Sequence, residues 1–262
     1  MEPFALARRL RAGETVFTAW CNLGSPVVAE TVAREGYACA VFDAQHGLWD
    51  LAAVVSGIVA LRNAGSTPAV RVPLADFAFV SRALDFGAEA IIAPMINTVA
   101  DARQFANAAK YPPMGERSWG PQRAMVLQGK TSAVDYLREA NGGTLTFAMI
   151  ETATALENMA AIAATPGIDA LFVGPYDLAT ALSAGAAQDV TAPEVESAID
   201  RIYAAATKAG KIPGIYCRDA ERAKAMAKRG FRFIAVGSDH GLLREAAAAQ
   251  VKALKGSGAT ST

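Results

Sequence analysis

Eight short apolar runs, rich in β-branched residues, recur along this chain, and alanine-rich helix-forming stretches separate them. The runs are TVFTAW (15–20), ACAVFD (38–43), PAVRVP (68–73), AIIAPM (90–95), LTFAMIE (145–151), ALFVG (170–174), IPGIYC (212–217) and FRFIAVG (231–237). They are nearly continuous in apolar residues rather than alternating, the pattern of parallel strands buried on both faces. Parallel neighbours need a long crossover, usually a helix, so the repeat dictates an α/β architecture. Eight β-then-α units in 262 residues have the size and pattern of a TIM (β/α)8 barrel. A doubly wound open sheet competes, but no glycine-rich dinucleotide fingerprint follows the first run.

Start and stop signals place the helices. Ser25-Pro26 offers an N-cap with proline at the first helical position, and Gly36 ends that helix. Thr154 with Glu157 reads as a capping box after the fifth strand. DARQFANAAKY follows the fourth strand, and PEVESAIDRIYAAATKAG precedes the seventh. The N-terminus, MEPFALARRLRAGETVF, carries charge where a signal peptide needs an apolar stretch, and reads as a short amphipathic helix over 4–10. No linker or shift of composition divides the chain. One domain is expected over 1–262, with an ordered core over about 5–250 and a frayed polar tail, KGSGATST, over 255–262.

Composition excludes several classes of function. The 25 basic residues balance 25 acidic ones, so no basic field exists to hold nucleic acid or an anionic membrane. No apolar run approaches the ~20 residues that span a bilayer. Three cysteines, Cys21, Cys39 and Cys217, fit neither a disulfide framework nor a metal spacing, and point to a reduced, cytoplasmic chain.

Chemistry in such a barrel is built at the C-terminal ends of the strands, and here those ends are polar. The second strand ends in Asp43 with His46 just beyond, the third carries Arg71, the fifth ends in Glu151, the sixth runs into Asp177, and the eighth into Asp239 and His240. Each alone has a structural explanation, such as a helix cap or a paired arginine. Several converging on one edge point to a site, because an unpaired buried charge is costly. Glu151 and Asp177, on adjacent strands, suit Mg2+ or Mn2+, with water and substrate oxygens completing the shell. The histidine set of catalytic zinc is missing. No strand carries a lysine, so a Schiff-base mechanism lacks its nucleophile. The segment YPPMGERSWGPQRA (111–124), with three prolines, reads either as a rigid surface turn or as a lid near the mouth.

DAQHG, AVRVP, LDFGAEAIIAPM, YPPMGERS, MIET and LFVGPYDLA, in this order, resemble the metal-dependent pyruvate aldolases of the HpcH/HpaI family, the 4-hydroxy-2-oxoheptanedioate and 2-keto-3-deoxy-rhamnonate aldolase type. The resemblance runs over about 5–250. It implies a TIM barrel assembled as a homohexamer, with the C-terminal helix exchanged between paired subunits. It implies a divalent metal (Mg2+ or Mn2+, with Co2+ and Zn2+ as other candidates) on Glu151 and Asp177. It implies a base at His46 with partner aspartates Asp43 and Asp85, an enolate-stabilising Arg71, and substrate carboxylate contacts from Gly174, Pro175 and Tyr176. Gln45 stands where most relatives have glutamate, Met149 where many have glutamine, and Tyr176 where many have a small residue. These three departures bear on which donor and acceptor fit.

The chemistry so implied is the addition of the enolate of pyruvate, or of hydroxypyruvate, to an aldehyde, and the reverse cleavage of 4-hydroxy-2-oxo acids. The partners are small 2-oxo acids and aldehydes. The alternatives are a citryl- or malyl-thioester lyase of a related barrel and a barrel that only binds.

Overall fold

The computed structural model describes residues 2–255. Eight parallel strands, β1 (Val16–Cys21), β2 (Cys39–Asp43), β3 (Thr67–Arg71), β4 (Ala90–Ala93), β5 (Leu145–Ile150), β6 (Ala170–Val173), β7 (Ile212–Cys217) and β8 (Phe233–Val236), pair in sequence order. β8 pairs back onto β1, Val16 opposite Phe233, so the sheet closes into a barrel and the open-sheet alternative falls. Every expected strand is present, shifted by at most a few residues. The N-terminal helix α1 (Ala5–Arg11) precedes β1; α2 (Pro26–Arg34), α3 (Leu51–Asn63), α4 (Phe77–Phe86) and α5 (Val99–Ala109) follow the first four strands. Two helices, α6 (Gln122–Leu127) and α7 (Ala133–Gly143), are inserted before β5. Then come α8 (Ala153–Ala164) after β5, α9 (Pro175–Leu182) and α10 (Pro193–Lys208) after β6, α11 (Ala220–Lys228) after β7, and α12 (Asp239–Lys255) after β8.

The continuous apolar runs fill two layers. Inward-facing residues pack the barrel axis, where the rings of Phe147 and Phe233 lie 4.5 Å apart and Phe172 meets both edge-on. Leu6, Ala7 and Leu10 of α1 join this inner cluster and plug the N-terminal end of the barrel. Outward-facing residues, such as Val70, Ile91 and Ile150, pack under the helices. Each large side chain so buried contributes about 1.5–3 kcal/mol of transfer free energy.

Ser25 caps α2 with Pro26 at its first position, and Gly36 follows with φ 110°, as the sequence suggests. The cap of α8 is instead Thr152, whose hydroxyl accepts from the Ala155 N–H, and no capping box joins Thr154 to Glu157. The chain turns into the helix immediately after Glu151, so Thr154 already lies inside the first turn. The 111–124 segment is not a lid within the chain. α5 carries the chain back to the N-terminal end of the barrel before the segment begins, which makes it a connection into the next strand rather than a loop at the mouth. There Tyr111 exchanges hydrogen bonds with Asn141, and Arg117 lies over the Tyr111 ring at 4.5 Å. The tail expected over 255–262 lies outside the described residues apart from Lys255, the last residue of α12.

α12 departs from the barrel after its first turn. Asp239 is buried, whereas residues 242–255 are all exposed, including Leu243 at 58% and Leu254 at 81%. Among the described residues no helix is long and apolar enough to cross a membrane.

The N-terminal end is tied by ions. Lys110 is wholly buried and donates to the Asn141 and Thr144 carbonyls and, at 2.6 Å, to Asp169. Asp169 in turn accepts from the Thr146 N–H and hydroxyl. Lys110→Met should leave Asp169 without its main counter-charge and lower stability by about 3–5 kcal/mol, as breaking one partner of a buried pair usually does. Denaturant titration checks the loss, and the surviving folded fraction should keep its ligand affinity, because the substitution lies at the end opposite the mouth.

Candidate active site

The C-terminal mouth holds a cavity of about 260 Å3 into which seven of the eight strand ends project. At its base, β2 and β3 end side by side, with Asp43 opposite Arg71 in the register. The Asp43 carboxylate accepts six hydrogen bonds. Oδ1 takes Arg71 Nε at 2.9 Å and the Gln45 and His46 backbone N–H groups, and Oδ2 takes Arg71 Nη2 at 2.6 Å, Asn22 Nδ2 and Trp20 Nε1. Burial alone would raise the pKa of Asp43. The bonds and charge of Arg71, with the His46 N–H and the Trp20 indole, outweigh it and hold the carboxyl below its ordinary range. Arg71 is therefore gripped through Nε and Nη2 and stacks 4.9 Å over the Trp20 ring. Its Nη1 has no protein acceptor among the described residues.

The turn after β2 is fixed by close backbone approach. A Cβ at Gly47 would stand 2.4 Å from the Asp43 carbonyl oxygen and 2.9 Å from that of Asn22, so only glycine passes there. The turn presents His46 at the rim of the cavity with its side chain exposed. Asp43 bonds the His46 backbone, not its imidazole, and among the described residues no side chain hydrogen-bonds that ring. Asp85 is not brought to His46 within the chain. It lies near the far end of α4, where it pairs with Arg117 at 2.6 Å.

Beside Gly174 of the cavity wall stands Glu151, immediately after β5. Oε1 accepts the Met95 N–H at 2.8 Å, and Oε2 is buried without a hydrogen-bond partner. Burial raises its pKa most and the nearby Asp177 raises it further, while the Met95 N–H and Arg71 pull down; the balance pushes it up to about 7. Ile150 is opposite Val173 in the register, so Gly174 lies beside Glu151. A Cβ at Gly174 would meet Glu151 Oε2 at 2.2 Å, so the glycine makes room for the carboxylate. Asp177 is exposed in the first turn of α9, whose Tyr176 and Asp177 N–H groups precede the first intrahelical bond, from Leu178 to Gly174.

Among the described residues no group of three or more His, Cys, Asp or Glu side chains forms a metal cluster. The two carboxylates nevertheless suit a cation. The unpartnered Glu151 oxygen lies against Gly174, which lines the cavity together with Asp177, and oxygen-only donors with most positions left to water and substrate suit a hard divalent ion.

The cavity also gathers residues that strand-end reasoning passed over. Trp20 and Asn22 bracket the end of β1, and Phe172, Tyr216 and Ser238 complete the wall. Asn22 obeys the same strand-end rule as the others and was legible from it. Its backbone N–H, with that of Leu23, bonds to the buried carboxylate of Asp239, which gives that acid a structural role. His240 does not line the cavity. Of the three departures, Met149 and Tyr176 line it, whereas Gln45 donates its backbone N–H to Asp43 and buries its side-chain oxygen.

A family profile described as HpcH/HpaI aldolase/citrate lyase matches residues 17–246. The chain is 38% identical over 235 residues to a hydroxypyruvate/pyruvate aldolase of Rhizorhabdus wittichii, covering 90% of this chain and 92% of that one. It is 38% identical over 233 residues to a 4-hydroxy-2-oxovalerate aldolase of Novosphingobium aromaticivorans, covering 88% and 86%. A crystal structure of an HpcH/HpaI aldolase/citrate lyase family protein from Burkholderia cenocepacia superposes with a TM-score of 0.87 at 35% identity, over 96% of this chain and 99% of that one.

The raised pKa of Glu151 has a signed consequence for the protein kept free of metal. Between its ordinary 4.5 and about 7 the folded state holds a proton that the unfolded state has released, so stability falls as pH rises through that window and is level above it. The full effect is at most about 3 kcal/mol. Glu151→Gln has no such proton. Its stability relative to wild type should therefore rise between pH 4.5 and 8, and denaturation in chelator across that range measures the difference. Parallel pH profiles of the two proteins would contradict the assignment.

Proposed function

The chain belongs to the HpcH/HpaI aldolase/citrate lyase family, and on that premise we propose that it is a metal-dependent pyruvate aldolase, a carbon–carbon lyase that joins the enolate of pyruvate or hydroxypyruvate to an aldehyde and reversibly cleaves 4-hydroxy-2-oxo acids. The observation that carries the reading is the cavity's pairing of opposites. A guanidinium clamped by Asp43 lies at its base, and a buried carboxylate with one unbonded oxygen lies directly behind its Gly174 wall. A divalent cation on Glu151 and Asp177, Mg2+ or Mn2+ by the hardness of the donors, would supply electrophilic activation of the 2-oxo acid.

The chain's own groups do the rest. The Gly174-Pro175-Tyr176 turn at the start of α9 receives the substrate carboxylate at the positive end of the helix dipole, through the free N–H groups of Tyr176 and Asp177, since Pro175 has none. His46, at the rim, removes a proton from the carbon next to the keto group. As that C–H bond breaks, negative charge gathers on the keto oxygen. Arg71 is preorganised to meet it, since Asp43 holds two of its nitrogens and leaves Nη1 for the ligand. The enolate carbon then attacks the aldehyde carbon, a C–C bond forms, and the new alkoxide takes up a proton. Cleavage is the same path reversed. Hydroxypyruvate fits the same contacts because its hydroxyl is on the reacting carbon. Asp43 acts here as a positioning residue for Arg71 and for the turn that bears His46.

The reading extends to assembly. A homohexamer in which paired subunits exchange α12 accounts for a helix whose leucines and valine are exposed on its own barrel. Asp85, remote from the mouth of its own chain, then acts only if the assembly brings it to a neighbour's site. Three unpaired buried thiols fit a reducing cytoplasm.

Exchange of the pyruvate methyl protons in D2O, without aldehyde, tests the first half of the reaction alone. Wild type with Mn2+ or Mg2+ should exchange them and chelated protein should not. Arg71→Ala should slow exchange by about 10²–10³ and His46→Ala by about 10²–10⁴. Wild-type exchange in His46→Ala would assign the proton transfer to another base. Light scattering at micromolar protein should give a hexamer mass, and a chain ending before Leu242 should give a smaller species; a full-length monomer would end the assembly proposal.

A further inference from the structure

A second cavity, of about 340 Å3, opens beside the first on the same rim, between the α9–α10 connection and the turn after β7. The two share Pro175, Tyr176 and Tyr216 as a common wall. The tyrosine rings lie 6.1 Å apart, tilted, and neither hydroxyl has a protein hydrogen bond among the described residues.

The charges lining the second cavity are unequal in their commitments. Asp189 accepts the Thr191 N–H and hydroxyl, and Asp219 caps α11 by accepting the Arg222 N–H at 2.9 Å. Arg222 is held by Glu196 from α10. Arg218 is different. Its nearest carboxylate oxygen, on Asp219, is 3.7 Å from Nε, beyond hydrogen-bond reach, and its side chain is 80% exposed. The acids of this wall are engaged locally, and one cation is left without a close partner.

We propose that this second cavity is the acceptor subsite, which takes the far end of the aldehyde past Tyr176 and Tyr216, and that Arg218 selects aldehydes ending in a carboxylate. The proposal rests on the aldolase reading of the neighbouring cavity and adds to it the class of acceptor. The bond-forming step is unchanged, since the terminal carboxylate is bound and does not react.

The test separates donor from acceptor. Pyruvate is offered with succinic semialdehyde, which ends in a carboxylate, or with butanal, an uncharged aldehyde of equal chain length. Wild type should favour the charged acceptor in kcat/KM. Arg218→Gln should raise the KM for succinic semialdehyde about ten-fold, the worth of one charge-assisted contact at a wet site, and leave butanal unaffected. Arg218→Lys should restore part of the preference, and Arg218→Glu should reverse it. Pyruvate methyl exchange in D2O should be the same in all four proteins. Equal losses for both aldehydes, or no loss for either, would overturn the proposal. If wild type fails to exchange the methyl protons at all, the aldolase reading fails instead. Calorimetric titration with succinic semialdehyde alone then decides the subsite, because heat that depends on Arg218 supports it, and heat that is absent or independent of Arg218 refutes it.

Discussion

The mouth of this barrel depends on one saturated carboxylate. Asp43 accepts bonds from the ends of the two neighbouring strands, β1 and β3, and from the turn that follows its own. A buried ion pair is weak evidence for stability, because removing both charges from water offsets most of their attraction. Its return here is orientation. A guanidinium has five N–H donors in one plane. Fixing it through two nitrogens on one edge determines where the remaining donors point, and the Trp20 ring stops the plane from rocking. The rotamer entropy of a long side chain is thereby lost on folding rather than on ligand binding.

Glu151 is the counterpart, a carboxylate of the same burial left half-bonded. One of its oxygens has the Met95 N–H, delivered from a residue with φ 54° that the surrounding loop must hold in the left-handed region. Such a conformation costs of order 1–3 kcal/mol for a non-glycine residue. The other oxygen is boxed in beside Gly174 with no donor. The two acids thus differ because the first meets six donors and the second meets one, and environment rather than residue type sets which is held charged and which is raised toward neutrality.

Much of this is legible in the sequence alone. Eight apolar runs on both-face burial left few architectures, and the rule that barrel chemistry sits at strand ends picked out Asp43, Arg71, Glu151 and Asp177 together. What strand-end reasoning does not place has local causes. The 111–124 segment has the composition of a lid, but a helix precedes it, and in a β/α repeat the parity of elements decides which end of the barrel a loop occupies. Asp85 belongs to a helix, so no strand-end rule applies to it, and its placement at the Arg117 end follows from helix direction alone. Thr152 and Thr154 are equally good caps by type. The choice rests on how abruptly the chain leaves β5. Tyr176 and Tyr216 come from different units, and their pairing is a property of the closed barrel that neither segment carries in its own sequence.

The two ends of the barrel are chemically insulated from each other. Among the described residues the ions of the N-terminal end, with Lys110 and Asp169 at their centre, share no residue with those of the mouth, and between them lies a phenylalanine-filled interior. Substitutions at the rim therefore change binding in near-independence of those that change folding, because distant sites without common partners combine additively. A lineage built on this plan is free to trade one substrate for another in small steps. Each step is judged on its chemistry alone, and the lower half of the barrel never registers the change.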